Sequence, residues 1–451
     1  MKRKRANGRQ LRLEALEVRH MLATFIVDDS FTADDPAAHR FNTIQEAVNA
    51  AVAGDKIKVR PGTYEENVVV NKQLTIKGAD PRLSRYLDDS RASIVDPVNN
   101  TATGELGVGF DLQADGIVIK GFTIGEFDGS ADADGTIGIR TSASNSGYKI
   151  EDNVIERNTI GIHLNTATTD SAGSTEIEDN VIRDNDRAGA NSGNGIFSNL
   201  GLRNAEIEDN DFSGDNDATA IRIVGTPGDT PTVQSNITIE DNDFDDLTGG
   251  GIYLERVVDS IIEDNDFENL ARSGIELNGL NQRVTIEDNE LENPGSDGFA
   301  GIILSDENEI GANQHNVIKD NEIEDAGLSG LVIRDSSSNT IEDNEIKRSR
   351  VIGTTDVTRG NGISLQNADN NIIEHNKVKR NARNGIFVDA DSTGNSLVAN
   401  KSKNNNTSDS ADAFDYNDLS TGGTGPSGSQ NTYERNKGRT QNKTGLIQRF
   451  V

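Results

Sequence analysis

Residues 239–278 read IEDNDFDDLTGGGIYLERVVDSIIEDNDFENLARSGIELN. The stretch states one unit twice. Ile239-Glu240-Asp241-Asn242 returns as Ile262-Glu263-Asp264-Asn265 after 23 residues. Gly251-Ile252-Tyr253-Leu254 returns as Gly274-Ile275-Glu276-Leu277 after the same 23. In both patterns the apolar residues alternate and are bounded by Gly or Asn, which is the patterning of short strands between turns. A helical repeat would space its apolar residues three and four apart.

The same two patterns extend in both directions. The Gly-Ile pattern begins at Gly138, Gly161, Gly195, Ala220, Gly251, Gly274, Gly301, Gly330, Gly362, Gly385 and Ala413. The Ile-Glu-Asp-Asn pattern begins at Ile150, Ile177, Ile207, Ile239, Ile262, Ile286, Ile318, Ile341, Ile373, Val398 and Tyr433. Each occurs eleven times, and the two alternate throughout. Successive Gly-Ile units lie 23 to 34 residues apart. A recurring minimum with variable excess means one structural coil whose loops are free to grow. Short strands repeated at one height stack into parallel sheets about 4.8 Å apart, so these coils make a rod on the order of 50 Å long. Asn153, Asn180, Asn210, Asn242, Asn265, Asn289, Asn321, Asn344 and Asn376 recur at one turn. Asn suits a left-handed corner, and its amide can bond the next Asn in the stack, so these residues are read as structural.

Composition agrees. Only 33% of the 451 residues are hydrophobic and 4% aromatic, too little for a broad globular core but enough for a core one coil wide. With no Cys, disulfides and thiolate metal sites are excluded. A net charge of -31 argues against nucleic acid as a partner. No run of 18 apolar residues offers a transmembrane helix.

The ends differ from the middle. Residues 41–53 contain Thr43-Ile44-Gln45-Glu46-Ala47-Val48-Asn49-Ala50-Ala51-Val52, an amphipathic stretch expected to cap the open end of a solenoid. Strict repeats run over 138–400, a looser last coil over 401–437, and a tail over 441–451, within a β-helix expected to occupy 24–440. Residues 1–23 are basic, unlike the acidic body.

Residues 41–79, with TIQEAV and GDKIKVRPGTYEENVVVNKQLTIKGA, closely resemble the opening of the pectin-lyase-like superfamily. The later repeats resemble that superfamily's carbohydrate-associated β-helix repeats. Leu13 to Ala23, LEALEVRHMLA, resembles the export leader of planctomycete bacterial proteins, so residues 1–23 are read as that leader or as a disordered basic tail. The resemblance implies an all-β, single-stranded, right-handed parallel β-helix with an N-terminal capping helix, exported to the cell surface or beyond. It implies engagement of polysaccharide, with a lyase or epimerase acting on an acidic glycan as the enzymatic form. Two departures weigh against an enzyme. No stretch matches the calcium-binding acidic cluster of pectate lyases. The Tyr-Gly-Phe-Asp-Pro-His motif of mannuronan epimerases is absent, and Ala413-Phe414-Asp415-Tyr416 does not replace it.

Strand alternation sorts the side chains of the Gly-Ile units, and every second residue faces out. Arg222, Tyr253, Glu255 and Glu276, with Arg256, then gather on three adjacent coils. Such a group can neutralise a uronate carboxylate and move a proton, as β-elimination requires, and its pair of carboxylates could serve hydrolysis. It can equally be a salt-bridged, solvated sheet face. His163, near Arg140 and Asn165, is a second candidate. Phe197, Ile303, Val332 and Phe387 also point outward, toward covering loops or a partner. Glu151, Glu178, Glu208, Glu240, Glu263, Glu287, Glu342 and Glu374 form an outward row broken by Lys319, either solvated or bridged by divalent ions. Asp128, Asp132 and Asp134 precede Gly135 with calcium-like spacing, without a complete EF-hand. A non-catalytic surface or matrix protein, with the rod as spacer or adhesin, is the alternative. Oligomeric state is left open.

Overall fold

The computed structural model describes residues 22–79, 91–98, 107–125, 136–166, 173–226, 234–296, 298–307, 310–351 and 359–449. Three parallel sheets of 16, 15 and 13 strands run the length of the molecule. Consecutive strands go to the first, second and third sheet in turn, so three strands close one coil. One coil shows the logic. Lys149–Glu151 lies in the first sheet, Val154–Glu156 in the second and Ile160–His163 in the third. Ile150, Ile155 and Ile162 point inward and are fully buried. Sixteen stacked strands at about 4.8 Å give a rod of roughly 70 Å, longer than the repeats alone imply. This is a right-handed parallel β-helix, as the sequence pattern led us to expect.

The core is built from columns of like residues. In the first sheet Ile177, Ile207, Ile239, Ile262 and Ile286 stack in register. In the second sheet Phe212, Phe244 and Phe267 stack with ring centroids 4.9 and 4.5 Å apart. Glycine is needed where the chain enters the third sheet. A Cβ at Gly251 would lie 2.5 Å from the Gly274 carbonyl oxygen and 2.6 Å from the Phe267 ring.

The corner between the first and second sheets carries the Asn ladder. Asn265 illustrates it. Its backbone N–H donates to Asn289 Oδ1 at 3.1 Å. Its amide donates to Ile239 O at 2.9 Å, Glu263 O at 2.8 Å and Asn289 Oδ1 at 2.9 Å. Asn400 and Asn436 extend the ladder past Asn376. The Asn is not the left-handed residue, contrary to the sequence reading. The preceding position takes positive φ: Asp152, Asp179, Asp264 and Asp288, then His375, Ala399 and Arg435. One residue bends the chain, and the next turns its amide inward to satisfy the corner's carbonyls. Another ladder runs between the third and first sheets through Asn316, Asn339, Asn371, Asn395 and Asn431.

Two registers near the C-terminal end need correcting. Leu397, not Val398, stacks on Ile373, and Val398 takes the outward place of Glu374. Tyr416, not Phe414, stacks on Ile386, so the last coil is shifted by two residues from the expected Ala413 start. Tyr416 is buried and its hydroxyl bonds Asn400 O at 2.8 Å. Its ring is buried with its hydroxyl satisfied, while Phe414 stays partly exposed.

Both ends are closed. The helix Ile44–Ala50 starts at Thr43, whose Oγ1 accepts the Glu46 N–H at 3.2 Å, and buries Ile44, Ala47 and Val48. The Glu66 carboxylate accepts the N–H groups of Ile44 and Gln45 at 2.7 and 3.0 Å. At the other end, the segment expected as a tail supplies the strand Gln448–Arg449, paired with Lys437-Gly438, and buries Leu446.

Candidate functional site

The third sheet presents one outward row along the rod. Register places Asp111, Arg140, His163, Phe197, Arg222, Tyr253, Glu276, Ile303 and Val332 on successive coils. Phe197, Ile303, Val332 and Phe387 are 3%, 8%, 0% and 1% exposed, which removes them as a partner surface. Val332 and Ile303 pack with Ala300 and Leu328 from adjacent corners.

Between the buried stretches a cavity of about 440 Å³ opens over three coils. Arg222, Tyr253 and Glu276 form its floor, from the strands Thr219–Val224, Gly250–Glu255 and Ile275–Asn278. Arg272, Ser273, Asn278, Phe299 and Glu307 complete the lining. The Arg222 guanidinium lies between two rings, 5.8 Å from the Phe197 centroid and 5.2 Å from that of Tyr253. Rings on both sides hold the guanidinium by cation–π attraction and stiffen it. Phe299 is 43% exposed at the rim, an apolar platform beside charged groups.

The electrostatics of Glu276 distinguish it. Burial pushes its carboxyl up to about 7, and Glu307 adds to the rise against Arg272, Arg334 and Arg222. Its Oε1 has Asn278 Nδ2 at 3.5 Å, too long to hold the ionised form firmly. Burial likewise pushes the Tyr253 phenol up to about 12, helped by Glu255 and Glu276. Glu307 is paired with Arg334 at 2.9 Å. With Glu276 protonated, Arg222 and Arg272 leave the cavity locally positive on a strongly negative protein.

Glu255 does not belong to this group. The sequence reading placed it with Glu276 because both follow Gly-Ile units. Glu255 ends its strand, is 7% exposed, pairs with Arg256 and accepts the Tyr253 hydroxyl at 3.2 Å. It acts on the cavity through Tyr253. Arg272, Phe299 and Glu307 were missed because they sit on corners and loops, where strand alternation gives no direction. The signal for Arg272 was an Arg two residues before Gly274 on the coil of Glu276.

His163 is packed rather than poised. Its ring stacks on Phe197 at 5.5 Å, its Nε2 meets Asn199 Oδ1 at 2.9 Å, and burial lowers its pKa. Arg140 turns away to a two-point pair with Asp111 at 3.0 and 2.9 Å, and Asn165 turns inward. Next to the cavity, Glu307 also borders a second, more open depression lined by Asp306, Arg334, Asp335, Asn367 and Asp369.

Asp128, Asp132 and Asp134 lie outside the described residues, as does the leader up to residue 21. Among the described residues no three His, Asp or Glu side chains converge as a metal site. The outward glutamate row of the first sheet is bounded by ion pairs, Lys120 with Glu151 and Lys319 with Glu287. Inside it Glu178 is pushed up to about 7, by a hydrogen bond shared with Glu151 and then by burial. Protons thus relieve part of the repulsion.

Comparisons place the fold among known proteins. The chain is similar to the DFA-IIIase of Arthrobacter chlorophenolicus A6, with 11% identity, a TM-score of 0.53, and coverage of 77% of this chain and 94% of that one. It is similar to a mannuronic acid specific polysaccharide family 6 lyase from human gut microbiota, with 14% identity, a TM-score of 0.52, and coverage of 95% and 90%. At these identities the likeness is one of fold. No curated protein matches the sequence. A sequence model of the right-handed β-helix region matches residues 138–313 and 299–447, and the chain belongs to that family.

Proposed function

We propose that this is an exported protein that binds an acidic polysaccharide along the third sheet and moves the C5 proton of a uronate there, as a lyase or an epimerase. The observation that carries the reading is Glu276. It is a carboxyl poised near neutral pH, in a cavity that also holds two guanidiniums and a phenol. A base matched to the working pH is what proton abstraction from carbon needs. Arg222 and Arg272 receive the uronate carboxylate and stabilise the negative charge that develops on it as the proton leaves. Ionised Glu276 takes the C5 proton. Tyr253, which keeps its proton at neutral pH, donates to the departing glycosidic oxygen in elimination, or to the opposite face of C5 in epimerisation. Phe299 offers an apolar face to the sugar ring. Of the two structural relatives above, the mannuronic acid specific lyase supports the reading, and only in that this fold houses such an enzyme.

Asp128, Asp132 and Asp134 are the proposed Ca²⁺ ligands. A thermal shift on adding Ca²⁺, lost in the triple Asn variant, tests that separately from catalysis. The reaction is tested by incubating the protein with a panel of acidic polysaccharides with and without Ca²⁺. Ultraviolet absorbance reports unsaturated uronate, and deuterium uptake at C5 reports epimerisation. Either signal with one substrate, lost in Glu276→Gln, supports the reading. Turnover undiminished in Glu276→Gln overturns the assignment. No signal across the panel leaves the non-catalytic surface or matrix protein as the better account.

A further inference from the structure

The second sheet carries a sign change that neither the core nor the cavity uses. Its first outward column reads Asp211, Asp243, Asp266, Glu290, Glu322 and Glu345, then Lys377, Lys401 and Lys437. Its second outward column reads Asp245, Glu268, Glu292 and Glu324, then Lys347, Lys379 and Lys403. The two columns invert on either side of the strand Glu345–Lys347, the second just before it and the first just after. At the boundary the charges satisfy one another: Lys347 pairs with Glu322 and Glu324, and Lys379 with Glu345 at 2.5 Å. Away from the boundary they do not. Asp243, Asp266, Glu290 and Glu292 on one side, and Lys401, Lys403 and Lys437 on the other, form no ion pair among the described residues. Like charges stacked at about 4.8 Å repel, so each half of this face is strained alone.

We infer that this face docks a second copy of the chain, antiparallel, through its own charge complementarity. A two-fold axis along the strand Glu345–Lys347 turns one rod end for end and keeps each column opposite itself. Lys377, Lys401 and Lys437 then come opposite the positions of Glu322, Glu290 and Asp266 in the second copy. Lys379 and Lys403 come opposite those of Glu324 and Glu292. Symmetry makes every contact twice, as an isologous interface requires. Six coil spacings make the contact about 30 Å long. It is one strand wide and almost wholly charged, smaller than the ~800 Å² per partner of a standard interface. The pairing is therefore held by charge and opposed by salt. It leaves the cavity on the third sheet open.

Sedimentation velocity on the full chain tests this, at low salt and at about 1 M salt, where screening acts within about 3 Å. The expected result is a doubling of mass at low salt, reversed at high salt. Lys401→Glu with Lys437→Glu makes a mostly acidic face and is expected to stay monomeric. Asp266→Lys with Glu290→Lys makes a mostly basic face and is expected to stay monomeric too. Mixing the two variants is expected to restore the doubled mass, which neither misfolding nor general repulsion can produce. A wild type that stays monomeric at low salt overturns the inference, including where its basic end instead binds a polyuronate. So does a dimer that survives both charge reversals.

Discussion

Replacing Glu276 with Gln isolates the ionisation of one carboxyl while keeping its shape. Burial holds this group at about 7 instead of 4.5. Each tenfold change in proton affinity is worth about 1.4 kcal/mol, so the ionised form costs the folded protein about 3 kcal/mol. The folded-state value lies above the unfolded one. Well below pH 4.5 both states hold the proton and the cost is absent. As pH rises from 4.5 to 7 the unfolded chain releases its proton first, and stability falls. Above 7 the whole cost is present. Gln carries no charge at any pH. The variant should therefore match the wild type near pH 4 and exceed it by about 3 kcal/mol at pH 8. The assay is the urea midpoint of both proteins across that range, read by far-ultraviolet circular dichroism with the slope held common. A difference between variant and wild type that does not change with pH would falsify the claim that burial holds Glu276 protonated. The proposed proton transfer would lose its base with it. In a turnover assay the wild type should gain rate as pH rises through about 7.

Three further outcomes follow from other parts of the structure. Arg222→Ala and Arg272→Ala should each weaken binding of an acidic oligosaccharide by isothermal calorimetry at least tenfold, about 1.4 kcal/mol, and equal affinity would remove the guanidiniums from the site. Asn265→Ala strips a buried corner of its bonds to Ile239, Glu263 and Asn289 and should cost at least about 3 kcal/mol; a denaturant shift below one-third of that would show the ladder to be incidental. In the first sheet, Glu178 is pushed up to about 7 and Glu208, Glu240 and Glu263 are raised by burial and then by neighbouring carboxylates. Their raised values mean that stability falls as pH rises from 5 to 8, and salt should recover part of it. A melting temperature at pH 8 indifferent to salt would contradict the repulsion.

The sequence made the coils readable because inward positions answer to one neighbour above and one below. Ile262 must match Ile239 and Ile286, so the pattern repeats and can be seen. Registers slipped only where the pattern thinned, at Leu397 and Tyr416, where residues of different shape take the same column. The left-handed corner was assigned to the Asn rather than the Asp before it, because both residue types tolerate that conformation and the sequence does not say which amide faces in. The cavity was partly readable. Arg222, Tyr253 and Glu276 stand on strands, and alternation alone sends them to one face. Arg272, Phe299 and Glu307 stand on corners and loops, whose direction depends on the neighbouring coils. Glu255 followed the alternation rule by number but ends its strand beside Arg256, where local pairing decides its direction.

The same geometry explains why a strongly acidic rod can engage an anionic polymer. In a β-helix the inward residues fix the fold, and each outward column is free to carry its own charge. The net value of -31 is therefore a poor guide to any one face. The glutamate row of the first sheet lies around the rod from the third, and at 0.15 M salt charges beyond about 8 Å are largely screened. What an anionic sugar meets at the third sheet is Arg222, Arg272 and a Glu276 that keeps its proton up to about pH 7. Phe197 on one side and Ile303 and Val332 on the other are buried and bound this stretch of the row. Acidity elsewhere then works in the site's favour: it repels the polymer from the glutamate row of the first sheet and from the acidic half of the second, and leaves the arginine-lined cavity as a favourable place for it to settle.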